Sequence, residues 1–251
     1  MSEERGVLLV TGAGRGIGAA VARLGAREGY DVAVNYAASG KDADAVARDI
    51  RQAGGRALAV QGDVAKEADI LRVFATVERE LGPITALVNN AGITGGIHRS
   101  DEISVETIEQ VFAVNVTGTL ICAREAVRRM AISHGGQGGA IVNISSMAAK
   151  LGGAGEWVHY AASKGAIDAF TVGLAREFAA DGIRVNAVRP GLIESDIHQT
   201  AGDPDRPARM APTIPMKRSG SADEVAEGII WLLSPAASYV TGAILEIGGG
   251  R

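Results

Sequence analysis

Short runs of apolar, largely β-branched residues recur along this chain with helix-forming stretches between them. That alternation constrains the fold more than any other feature. The runs lie at 7–10, 32–35, 57–61, 86–89, 141–144, 184–188 and 244–247. Several are apolar at consecutive positions, as strands buried on both faces of a parallel sheet must be. The helical stretches are 18–28, 41–53, 66–81, 104–133, 157–180 and 221–233. Regular strand–helix alternation with right-handed crossovers predicts an α/β fold, a doubly wound parallel sheet of about seven strands with helices on both faces. No repeat, low-complexity tract or linker-like shift in composition interrupts the pattern, so residues 1–251 read as a single domain.

Composition narrows the function classes. With 47% hydrophobic and 22% charged residues among 251, the chain can bury a substantial core. A net charge of −4 gives no reason to expect nucleic acid or an anionic membrane as partner. The one cysteine, Cys122, rules out an internal disulfide framework and fits a reducing compartment. Met1-Ser2-Glu3-Glu4-Arg5 lacks a signal-peptide layout, and no apolar run approaches the roughly 18 residues that span a bilayer. The expectation is a soluble cytoplasmic protein. The four histidines have no metal-ligand spacing, and no metal is expected.

Ligands of open α/β sheets bind beyond the carboxyl ends of the strands. After the first run comes Thr11-Gly12-Ala13-Gly14-Arg15-Gly16-Ile17-Gly18, which opens a helix. Such a turn lets backbone and phosphate approach closely, at a helix N-terminus whose free N–H groups favour negative charge. Later run ends carry Asp63-Val64, Asn89-Asn90-Ala91-Gly92, Ser145-Ser146 and Pro190-Gly191. Any one of these is an ordinary turn signal; together they gather small and polar residues on one edge. The glycine-rich 134–139 stretch follows a helix and precedes a strand, the wrong order for a phosphate cradle. Residues 194–220, with four prolines, read either as a lid over a site or as an inert surface loop.

Tyr160 and Lys164 stand four residues apart on one helix face. A tyrosine with its ordinary pKa of about 10 exchanges protons poorly at neutral pH, and a nearby ammonium lowers that value. Ser146 offers a hydrogen bond to a substrate oxygen. A tyrosine–lysine pair alone could equally be a surface contact.

Taken together, Thr11-Gly-x-x-x-Gly16-x-Gly18, Asn89-Asn90-Ala91-Gly92, Asn115, Ser146, Tyr160-x-x-x-Lys164 and Pro190-Gly191 resemble the short-chain dehydrogenase/reductase family over essentially the whole chain. The similarity is greatest to the branch of 3-oxoacyl-carrier-protein reductases and glucose dehydrogenases, and it implies a Rossmann-like domain. It also implies a catalytic set. Tyr160 would be the general acid in reduction and the base in oxidation. Lys164 would lower its pKa and hold the nicotinamide ribose. Ser146 would polarise the carbonyl, and Asn115, in the long fourth helix, would hold a water relaying protons from Lys164. The implied dinucleotide contacts are Gly12, Arg15, Gly16, Ile17 and Gly18 at the turn, then Asn35 and Tyr36. They continue through Asp63, Val64, Asn90, Ala91 and Gly92 to Tyr160, Lys164, Pro190, Gly191, Ile193 and Ser195.

Two departures matter. The Ser146–Tyr160 interval is one residue longer than usual for the family, so Gly152-Gly153-Ala154-Gly155 absorbs a residue or Ser145 takes the catalytic role; Ser146 is preferred. Ser195 also stands where a threonine is more common.

No acid follows the second run, where Asn35-Tyr36-Ala37-Ala38-Ser39 stands; a carboxylate there would favour NAD(H). Arg15 either offers a cation for a 2′-phosphate or is a solvated turn residue. NADP(H) is therefore expected over NAD(H), with an NAD(H)-preferring sugar or alcohol dehydrogenase as the alternative and a non-catalytic nucleotide sensor behind it. A small-molecule carbonyl or alcohol substrate would meet Met147, Leu151, Glu156, Trp157 and His198, with Trp157 serving as a wall or as helix packing. Ala161, Gly165, Ala169 and Gly173 form a small-residue stripe, which, with the family's habit, implies a homotetramer.

Overall fold

The computed structural model describes residues 6–194 and 202–251. Its strands are β1 (Val7–Val10), β2 (Asp31–Tyr36), β3 (Ala57–Gln61), β4 (Ile84–Asn89), β5 (Gly139–Ile144), β6 (Ile183–Pro190) and β7 (Ile244–Ile247). They form one seven-stranded sheet in the order β3-β2-β1-β4-β5-β6-β7. Every pair is parallel. The helices are α1 (Gly16–Arg27), α2 (Gly40–Gln52), α3 (Glu67–Leu81), α4 (Val105–Phe112), α5 (Thr119–Met130), α6 (Ala148–Leu151), α7 (Val158–Phe178), α8 (Arg206–Met210) and α9 (Ala222–Leu233).

Consecutive apolar residues are needed because alternate side chains enter two cores. Leu8, Val10, Val32, Val34 and Val88 pack beneath α1, α2 and α9. Leu9, Ala33, Leu87, Ile141 and Val185 pack beneath α3, α5 and α7 on the other face. β1 sits between β2 and β4, so the chain reverses its direction of sheet growth there, with Val10 level with Val34 and Val88. A crevice opens beyond the strand ends at such a reversal.

The expected single helix over 104–133 runs without a gap from Val105 to Met130, but its turns change width on the way. α4 gives way to a π-helical segment, Ala113–Gly118, before α5 begins. Tertiary contacts favour the wider turn. The Asn115 side chain bonds to the Ile93 backbone, and Thr119 Oγ1 donates to Asn115 O at 3.0 Å. A Cβ on Gly118 would lie 2.6 Å from Val64 O, so that turn is pressed against the end of β3. Within 194–220, expected to be irregular, the described part includes α8 and a 3-10 turn, Ala211–Thr213. Among the described residues, no helix is long and apolar enough to cross a membrane.

Candidate active site

The glycine turn is sewn to the end of β4. Thr11 Oγ1 accepts from the backbone N–H groups of Asn90 and Ala91, both at 3.0 Å. Asn90 Nδ2 returns bonds to Thr11 O and Gly12 O, both at 2.9 Å. Gly12 and Gly16 take φ of 62° and 53°, the left-handed region that favours glycine. A Cβ on Gly12 would also meet Ala91 Cα at 2.9 Å, and one on Gly18 would meet Asn90 Nδ2 at 2.5 Å. α1 starts here without a side-chain cap and without an acid in its first turn. Its leading N–H groups and positive dipole end are thus left for an anion. The turn fits a dinucleotide pyrophosphate on these grounds.

The other expected cofactor positions are placed unequally. Arg15 is exposed and has no carboxylate partner among the described residues. Asp63 is half-buried beside buried Val64, and its carboxylate accepts from Ala65 N at 3.0 Å. Tyr36 is half-buried with its ring against Gly40. Asn35 instead serves the fold: it is buried, with Nδ2 donating to Val60 O and Gly62 O and Oδ1 accepting from Gly12 N. Its amide buttresses the turn and has no donor left for a ligand. Ile17, Asn90, Gly92, Pro190, Gly191 and Ile193 all line one open cleft. Gly191 is pressed on the C-terminal tail, where a Cβ would stand 2.6 Å from Gly248 Cα. Ser195 and His198 lie outside the described residues.

The same cleft is lined by Ser146, Trp157, Tyr160 and Lys164. β5 delivers the two serines to different surroundings. Ser145 is buried, with its hydroxyl donating to Lys164 O at 3.3 Å. Ser146 accepts from Ala148 N at 3.1 Å, and its hydroxyl lies on the phenol side of the cleft, near enough to oppose the rise in the Tyr160 pKa. Both serines line the cleft, but Ser145 gives its hydroxyl proton to Lys164 O, whereas Ser146 donates to no group among the described residues. Lys164 Nζ donates to Ile144 O at 2.6 Å and lies 5.7 Å from the Tyr160 ring centroid. Asn115 docks the π-helical segment onto this group: its Nδ2 donates to Ile93 O at 2.9 Å and Ser163 Oγ at 3.1 Å, and Oδ1 accepts from Ile93 N at 2.9 Å. Only the second acceptor position on Oδ1 is left for a water. It faces the space over Gly92, where a Cβ would stand 3.3 Å from Oδ1 and 3.5 Å from Lys164 Nζ.

The phenol's pKa ends up raised, contrary to the lowering by a nearby ammonium that the sequence predicts. Burial pushes Tyr160 up to about 12, partly opposed by the Ser146 hydroxyl. Burial also pulls Lys164 down to about 8, opposed by the charge of Asp168. Desolvation is the largest cause for both groups.

Of the expected substrate-side residues, Met147 is buried against Gly248, and Leu151 is exposed. Trp157 meets both readings: it lines the cleft and contacts Tyr160 edge-to-face, with ring centroids 6.1 Å apart. Behind it stands a residue the sequence did not single out. Arg206 of α8 holds its guanidinium 4.2 Å from the Trp157 ring centroid and donates to Glu156 Oε2 at 2.6 Å. The Arg206 guanidinium holds the Glu156 carboxyl below the usual range. Its side chain is only 6% exposed. The sole hint in sequence was Asp203-x-x-Arg206-x-x-Arg209, a charge pattern at helical spacing inside a proline-rich stretch.

Glu156→Gln should consequently loosen α8. Protease cleavage near 206–210 is expected to rise about tenfold, corresponding to about 1.4 kcal/mol of local opening. Equal cleavage of both proteins would show that the pair does not hold α8 down. Among the described residues, no three His, Cys, Asp or Glu side chains cluster as a metal site.

A family profile described as enoyl-(acyl carrier protein) reductase matches residues 12–251. The chain is 51% identical over 245 residues to YgfF of Escherichia coli, an uncharacterized oxidoreductase, covering 98% of this chain and 99% of that one. It is 37% identical over 246 residues to the 3-oxoacyl-[acyl-carrier-protein] reductase FabG of Staphylococcus epidermidis, covering 96% and 97% respectively. A short-chain dehydrogenase of Burkholderia cenocepacia, solved in complex with NADP, superposes with a TM-score of 0.90 at 32% identity, covering 98% of each chain.

Proposed function

The chain belongs to the short-chain dehydrogenase/reductase family, and from that membership we propose that it interconverts a carbonyl and a secondary alcohol with NADP(H), Tyr160 exchanging the proton. The observation that carries this reading is that Ser146 and Tyr160 line one cleft wall, with the buried Lys164 ammonium beside the phenol ring.

In reduction, the Ser146 hydroxyl donates to the carbonyl oxygen, a bond that strengthens as negative charge develops there. The Tyr160 hydroxyl gives that oxygen its proton. Lys164 holds positive charge next to the phenol, and Asn115 keeps the loop around Ile93 against α7. Trp157 and α8 close the substrate side. When bound, the cofactor supplies or accepts the hydride at the substrate carbon. Its pyrophosphate would rest on the turn from Gly12 to Gly18, and Asp63, Val64, Asn90, Ala91, Gly92, Pro190, Gly191 and Ile193 would take the remainder. Ser195, which lies outside the described residues, is proposed for the nicotinamide carboxamide from the family resemblance alone.

Arg15 supports NADP(H) over NAD(H): an exposed cation without a carboxylate partner among the described residues stands in the turn, and no acid follows β2. The NADP bound to the Burkholderia relative agrees with this preference. Arg15→Ser is expected to weaken NADPH binding about tenfold, as an exposed charge-assisted contact would, while NADH affinity stays within about twofold. Titration with both cofactors measures this; equal losses for both would return Arg15 to the role of a turn residue. We further propose a homotetramer using the outer face of α7, where Gly165 and Gly173 have nothing within 4 Å of a Cβ position.

The experiment for the whole reading is NADPH and NADH titration followed by a panel of ketones, acyl thioesters and sugars. Turnover of one class under NADPH supports it and names the substrate. Tight binding with no turnover of any compound would favour a nucleotide sensor.

A further inference from the structure

One turn beyond Lys164, α7 carries a second buried charge. Asp168 Oδ2 accepts from Arg189 Nε at 3.1 Å and Nη2 at 2.8 Å. Arg189 Nη1 reaches Glu246 Oε1 at 3.0 Å, and Lys150 Nζ reaches Glu246 Oε2, also at 3.0 Å. Charges thus alternate from α7 through the last residues of β6 and β7 to α6. The other carboxylate oxygen, Asp168 Oδ1, is buried and has no hydrogen-bond partner among the described residues. A pure salt bridge to Arg189 does not account for a carboxylate half of whose acceptor capacity is sealed off from water.

We propose that Asp168 is a positioning residue that keeps Lys164 protonated at working pH. The proposal rests on the reading above, in which Lys164 acts as a cation. Lys164 is 4% exposed, and its one recorded acceptor is a neutral carbonyl, Ile144 O. The groups around it are neutral at physiological pH: Tyr160 on α7, Ser145 after β5, Asn115 from the π-helical segment, and the Gly92 backbone. Asp168, four residues on along the same helix face, supplies the negative charge. Arg189 on β6 opposes it, and Glu246 on β7 offsets Arg189, with Lys150 outermost at the surface. The order leaves the negative end of the chain on α7, one helical turn from Lys164 and outside direct ion-pair distance of it. Burial sets the ammonium's proton loss near pH 8, and the Asp168 charge keeps it from falling further.

Removing that negative charge weakens the hold on the proton, so the sign is a shift to lower pH. Asp168→Asn preserves shape and an acceptor for Arg189. It should move the alkaline limb of kcat/KM for carbonyl reduction about one pH unit downward, the lower end for loss of a close opposite charge. The pH at which NADPH affinity begins to fall should shift equally, and at pH 6 variant and wild type should agree within about twofold. Asp168→Glu, which retains the charge, should keep the wild-type limb. A structural role alone would lower activity at all pH values without moving the limb, and that result overturns the proposal.

Should Asp168→Asn fail to fold, NMR of wild type decides. The Lys164 Nζ and Asp168 carboxyl signals should move with one shared midpoint near pH 8, and independent titrations would overturn the assignment. Failure of the underlying reading looks different: neither wild type nor variant would have an alkaline limb, although Lys164 still titrates.

Discussion

Tyr160→Phe is expected to lower kcat about 10³-fold or more, the scale of a lost general acid, while NADPH affinity changes by less than about twofold. The substitution removes a single oxygen. The ring keeps its edge-to-face contact with Trp157, and the turn that would hold the pyrophosphate lies on another element. Ser146 keeps its bond from Ala148 N and remains oriented toward the substrate oxygen. What disappears is the one ionisable hydroxyl in the cleft wall. With burial holding the phenol near 12, the neutral, proton-donating form predominates across physiological pH, which suits reduction. Steady-state kinetics paired with cofactor titration would measure both quantities. A variant that retained wild-type turnover would move the proton to another group and remove the basis of the proposed mechanism. Parallel loss of binding and turnover would instead indicate a structural role for the hydroxyl.

The two-faced burial of the sheet was legible because parallel strands demand consecutive apolar residues, and Val7 to Val10 meet that demand literally. The glycine turn was legible for a similar reason: left-handed backbone at Gly12 and Gly16 admits little else. The π-helical widening was not. The apolar pattern through 104–133 continues across it, and its cause is tertiary, in Asn115 reaching Ile93 and Gly118 meeting Val64. Asn35 misled because a polar residue at a strand end reads as solvent- or ligand-facing, whereas its partners lie 25 and 27 residues away on and after β3. The choice between Ser145 and Ser146 stayed open for want of register. Ser145 N bonds to Val188 O, continuing the β5–β6 ladder, so Ser145 is buried and Ser146 is the more exposed of the two in the cleft wall. Arg206 was invisible because its meaning depends on Glu156 and Trp157, about fifty positions earlier.

Lys164→Met should produce a protein that is more stable and almost inactive. A lysine whose pKa falls from 10.5 to about 8 on folding is held in its charged form against the preference of its surroundings. By linkage, that shift corresponds to about 3 kcal/mol of destabilisation, fully present below pH 8. The sign follows from proton counts. Between pH 8 and 10.5 the unfolded chain holds a proton that the native lysine has lost, so stability rises with pH through that window. Methionine fills similar space without the charge, but it leaves Ile144 O without the Lys164 donor, a loss of about 1 kcal/mol. The net gain expected at pH 7 is about 1–2 kcal/mol, or roughly 2–8 °C in Tm for a chain of this size. The gain should fade as pH approaches 10.5. Turnover should fall about 10²-fold or more as the phenol loses its neighbouring cation. Thermal denaturation at pH 7 and at pH 10, run beside the activity assay, tests both halves. A variant no more stable than wild type at pH 7 would mean that folding does not disfavour the charged lysine, because the lowered value already includes the opposing charge of Asp168.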